Sequence, residues 1–122
     1  MLLLRNIRAN AVSFNLRRGG EDWNMELPEK VQIGCHSISV RRKESLVDHA
    51  EACGIFDAED LAIYLDSKLK GSLLWETYFH EIIEAINHFT EMELEHRTIQ
   101  TMGVLLSQAI QSTFDFSYDE DQ

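Results

Sequence analysis

The stretch Ser72-Leu73-Leu74-Trp75-Glu76-Thr77-Tyr78-Phe79-His80-Glu81-Ile82-Ile83-Glu84-Ala85-Ile86-Asn87-His88-Phe89-Thr90 decides the fold class. Its apolar residues Trp75, Tyr78, Phe79, Ile82, Ile86 and Phe89 recur at threes and fours, which predicts an amphipathic helix with one buried face and Ser72 as its N-cap. Beyond Glu91 to Glu95, the residues Ile99, Met102, Leu105, Leu106, Ala109 and Ile110 repeat that period. The short connection makes the pair an antiparallel helical hairpin. Upstream the period changes to two. Val31 and Ile33, then Ile38 and Val40, alternate around Gly34-Cys35 and predict two short strands or one bent strand. Residues 44–53 read as a short helix or a loop, and Gly54-Ile55-Phe56-Asp57 leads into a strand whose Leu61, Ile63 and Leu65 share a face. The expected class is α+β: a small sheet completed before a helical hairpin begins.

With 122 residues, one proline and six glycines, the chain has room for a single core and no second one. Eleven Lys and Arg against 21 Asp and Glu give a formal charge of −10, a field that repels a phosphate backbone. Nucleic acid is therefore not an expected partner. Cys35 and Cys53 form no CxxC and no repeated ligand spacing, which fits a reducing, cytoplasmic setting. No run approaches the roughly 20 apolar residues of a membrane span, and Arg5 interrupts the apolar start too early for a signal peptide.

Charge is unevenly distributed along the chain. Residues 1–24 hold four Arg and two acids, whereas Met25 onward holds seven bases and 19 acids. Codons for Gly19-Gly20-Glu21, a short way upstream of Met25, can spell a purine-rich ribosome-binding sequence. The reading is a domain over 25–113, an N-terminal extension over 1–24 that is non-native or flexible, and an acidic tail over 114–122. A genuine N-terminal arm packed on the domain is the alternative.

The chemistry concentrates in His80-Glu81-Ile82-Ile83-Glu84, an HExxE sequence. In a helix, residues four apart share a face, so His80 and Glu84 can bind one metal ion with Glu81 beside them. In the HExxH arrangement two histidines hold Zn²⁺ and the intervening Glu is the general base. Glu84 replaces the second histidine here. An anionic oxygen ligand lowers the ion's Lewis acidity, so weaker activity is expected. His88 lies about 12 Å along the axis from His80 and cannot share its ion. His96, at the start of the second helix, is the better third ligand, although a tight hairpin would bring Gln100 or Thr101 nearer Glu84. The competing reading is an ordinary helix that presents Thr77, His80, Glu84, Asn87, His88 and Glu91 to water. His36 and His49 read as surface residues, Asp57 and Glu59 as turn residues, and Trp75, Tyr78 and Phe79 as core.

Taken together, Gly54-Ile55-Phe56-Asp57, Leu61-Ala62-Ile63-Tyr64-Leu65, the segment Trp75 to Asn87 and Leu94-Glu95-His96-Arg97-Thr98-Ile99 resemble the small zincin-like proteins of phage and prophage genomes. The likeness covers residues 29–110 and departs from the family pattern at Glu84. It implies a minimal zinc metallopeptidase with His80, Glu84 and His96 as metal ligands and Glu81 as general base. A peptide would pair with Leu61 to Leu65 as an edge strand. The alternative is an inactive zincin-fold protein that binds a protein partner through its polar helix face.

Overall fold

A computed structural model describes residues 13–16, 23–46, 52–114 and 117–118; before residue 26 and beyond residue 114 only backbone pairing is described. The strands are β1 (Ser13–Leu16), β2 (Trp23–Glu26), β3 (Lys30–Ile33), β4 (His36–Lys43), β5 (Gly54–Asp57), β6 (Ala62–Asp66) and β7 (Ser117–Tyr118); the helices are α1 (Gly71–Thr90) and α2 (His96–Phe114). The architecture is α+β, a four-stranded sheet followed by two helices.

The four-stranded sheet has the order β3-β4-β6-β5. β3 and β4 form an antiparallel hairpin that turns at Gly34, whose φ of 60° is one that glycine adopts without strain. β4 and β6 run parallel, and β5 returns antiparallel along β6. Gly54-Ile55-Phe56-Asp57 is thus a strand in its own right. It forms the edge, while β6, expected to be the edge, lies inside between β4 and β5. The interior position explains why Ala62, Ile63, Leu65 and Asp66 are all buried: a central strand is covered along both sides and on the helix face. Asp57 closes the β5–β6 turn, its Oδ1 accepting hydrogen bonds from the backbone N–H groups of Glu59 (2.9 Å) and Asp60 (3.1 Å).

Helix α1 lies over β5 and β6. Ile38, Ile63, Leu65, Leu69, Leu74, Trp75 and Tyr78 form the buried core, so Trp75 and Tyr78 take the places their spacing predicts. Ile86 is the exception at 37% exposed. Lys70, not Ser72, occupies the N-cap, with no side-chain hydrogen bond, and Ser72 is already inside the first turn. The turn that feeds α1 is held instead by Arg42, whose guanidinium donates to the carbonyls of Asp66 (3.0 Å) and Leu69 (2.7 Å).

At the far end Glu91 adopts a left-handed conformation and stops the helix. The Asn87 Oδ1 accepts from the Leu94 N–H at 2.8 Å and ties the connection back onto α1. Helix α2 buries Ile99, Gly103 and Ser107, a ridge of four-residue steps, rather than the larger apolar residues of its sequence pattern. Met102, Leu105 and Leu106 are exposed. The reason is at Gly103: a Cβ there would lie 3.2 Å from the His80 backbone, so α2 approaches α1 where it carries no side chain.

A second sheet has the order β1-β2-β7, with β1 antiparallel and β7 parallel to β2. It crosses both boundaries drawn from the sequence: Phe14 pairs with Met25, and Tyr118 of the acidic tail pairs with Met25. The remainder of 1–24, the end of the tail and His49 lie outside the described residues. Among the described residues no helix is long and apolar enough to cross a membrane. Cys35 and Cys53 are free and exposed.

Candidate metal centre

Two close approaches set the geometry of the site. Gly103 of α2 sits against the His80 backbone, and Gly54 of β5 sits against the next residue: a Cβ at Gly54 would lie 2.9 Å from Thr77 Cγ2 and 3.1 Å from Glu81 Cγ. His80 and Glu81 are therefore pressed between the second helix and the edge strand. The face of α1 that carries them does not look into open water.

His80 Nε2 is 3.5 Å from Glu84 Oε2, and His96 Nδ1 is 3.9 Å from that same oxygen. The two imidazole rings are 5.1 Å apart at 64°. One donor atom each from His80, Glu84 and His96 lies within 4.8 Å of the other two. Bonds of about 2.0–2.1 Å at tetrahedral angles place zinc ligand atoms roughly 3.3–3.5 Å apart, so these donors need to close by about 1.5 Å at most. Two neutral imidazoles and a carboxylate suit zinc, and the His80 and Glu84 donors are set by the helix itself. His96 is the adaptable member, its side chain 76% exposed.

His96 meets Glu84 because residues 91–95 form a connection wide enough to set the first turn of α2 beside it, and Gln100, one turn on, hydrogen-bonds His80 instead. His88 belongs to neither contact; its ring meets Phe56 edge-on at 5.7 Å. His36 stacks on Phe89 with centroids 4.1 Å apart, so it serves packing where a surface position was expected. That stack brings together residues far apart in sequence, and no local pattern signals it.

Glu81 is buried, with Oε2 4.0 Å from His80 Nε2. Burial, followed by the charge of Glu84, pushes its carboxyl up to about 7, and a hydrogen bond from the Phe56 backbone N–H draws it back only in part. Burial also lowers the His80 imidazole from its ordinary value, against the attraction of Glu84. The site opens into a cleft of about 330 Å³ lined by Gly54, Thr77, His80, Glu81, His96 and Gln100. A neighbouring hollow of about 370 Å³ adds Ile55, Phe56 and Glu84.

Comparison with known proteins finds no family model, no curated protein and no solved structure that matches this chain.

Proposed function

We propose that the protein is a zinc-dependent, zincin-like peptidase in which His80, Glu84 and His96 hold one ion and Glu81 is the general base. The observation that carries this reading is the convergence of three donor atoms from two helices beside a buried carboxyl whose pKa is pushed to about 7. Zinc in such a site supplies a Lewis acid that acidifies water and polarises a carbonyl. That value belongs to the metal-free site; a bound cation would draw the carboxyl back down and favour the ionised form that accepts a proton. Glu81 takes that proton at Oε2 from a water in the cleft and passes it to the leaving amine. His80 is kept neutral by its burial, and Gln100 holds its ring in orientation.

Substrate backbone fits along β5. Asp66 N–H bonds to Cys53 O at 2.9 Å, so alternation along the strand turns Gly54 and Phe56 away from β6. The Phe56 N–H is spent on Glu81, which leaves Gly54 and the Phe56 carbonyl to pair with an extended peptide.

Calorimetric titration of metal-stripped protein with zinc tests the site, and cleavage of a peptide library tests the chemistry. One ion per chain and cleavage abolished by Glu81→Gln are expected. No heat on titration removes the reading. The anionic ligand Glu84 favours one second reading, a zincin-fold protein that binds but does not cut; zinc uptake with every peptide left intact selects it.

A further inference from the structure

The apolar period of α2 and its buried face do not coincide. Ile99, Gly103 and Ser107 face α1, yet Thr98, Met102, Leu105, Leu106, Ala109 and Thr113 form a second stripe, about 100° wide at 3.6 residues per turn, on the flank of that ridge. Met102 is 45% exposed, Leu105 58% and Leu106 39%. A stripe that leaves three large apolar side chains exposed over two successive turns is the mark of a surface that meets a partner.

We propose that this stripe is the contact through which two copies of the chain pair, α2 against α2. Charge selects the occupant. The chain carries −10 in total, yet residues 98–114 hold no ionisable side chain. A two-fold contact sets residues near the axis against their own copies, so any charge there repels its twin; residues 98–114 have none. From Met25 onward 19 acids stand against seven bases, so two copies repel on balance, and the α2 flank is where their approach is least opposed. A basic foreign partner would be drawn to the acidic surface and not to an uncharged helix.

The stripe runs about 23 Å along the axis, which puts the contact near the lower limit of roughly 1,200 Å² for a stable specific pair. The dimer is therefore concentration-dependent. His96 and Gln100 lie on the other side of the buried ridge, so pairing leaves the cleft open, and the proposal is independent of zinc and of hydrolysis.

Sedimentation equilibrium of the full chain over a roughly hundredfold range of concentration decides it. The mass rises from the monomer's 14.1 kDa toward twice that value, and added salt, by screening the mutual repulsion, raises the dimer fraction. Leu105→Glu holds the chain at monomer mass throughout with an unchanged circular dichroism spectrum. Ser72→Glu, which adds the same charge at the exposed start of α1, leaves the pair intact. A wild-type chain that stays monomeric at every concentration overturns the proposal, as does a dimer that survives Leu105→Glu or one that salt dissociates.

Discussion

Burial of Glu81 costs the metal-free protein stability whenever the carboxyl is ionised. Its pKa rises from an ordinary 4.5 in the unfolded chain to about 7 in the folded one, so the folded state holds the proton more tightly between those values. Stability is fully present below about pH 4.5 and is lost as pH rises through about 7, a difference on the order of 3 kcal/mol. Glu81→Gln, which still accepts from the Phe56 N–H, should raise the melting midpoint of metal-free protein at about pH 8 and leave it nearly unchanged at about pH 4. An equal effect at both values would mean that the side chain matters for packing and not for charge. The ligands make a separate prediction. His80→Ala should abolish zinc binding, His96→Ala weaken it at least tenfold, about 1.4 kcal/mol, and His88→Ala change it little. Affinity should fall on acidification, because both imidazoles must be deprotonated to coordinate. Loss with His88→Ala and not with His96→Ala, read by calorimetry, would place the site elsewhere.

Two glycines position whole elements. Gly103 lets α2 lie on α1 at His80, and Gly54 lets β5 lie on α1 at Glu81. Gly103→Ala gains up to about 1 kcal/mol of helix propensity but presses a Cβ at 3.2 Å against backbone that has little room to move. Overpacking of this kind costs roughly 1–3 kcal/mol. Gly103→Val adds branching to the same clash, so it should lower the denaturant-derived stability more than Gly103→Ala does and weaken zinc binding by shifting His96 from Glu84. Gly103→Val with full stability and full affinity would show that the helices are not tightly set. At the other face Gly54→Val should displace Glu81 as well as the core, because Thr77 Cγ2, Glu81 Cγ and Leu65 Cδ2 are the first atoms the new side chain meets.

At the scale of the molecule, the buried core and the site belong to one unit. Ile38 through Tyr78 supply the core cluster, and its partly buried neighbours begin at Leu27. The β1–β2 ladder continues into β7, which lies against α1. A chain begun at Met25 keeps every residue of the core cluster but loses β1 and half of β2, so its thermal midpoint should fall while its zinc stoichiometry stays unchanged, as differential scanning calorimetry and titration would read. An unchanged midpoint would show that the β1–β2 pairing adds nothing to the main core. Dimerisation through α2 is the remaining property at this scale, since it depends on a surface that exists only once the hairpin has formed.

The amino-acid sequence by itself determined the α+β class, the two helices, the β3–β4 alternation and the placement of Trp75 and Tyr78 in the core. Those features rest on periods of two and 3.6, which are local, and on apolar residues that must leave water. HExxE is local too, since four-residue spacing alone brings His80 and Glu84 together. Tertiary structure alone decided which strand is the edge, because β6 becomes interior only when β4 and β5 flank it. It also decided that His96 and not Gln100 meets Glu84, through the span of residues 91–95. The same holds for α2: periodicity marks the large apolar stripe as buried, but close packing favours the face where Gly103 admits the neighbouring backbone, and the stripe stays outside.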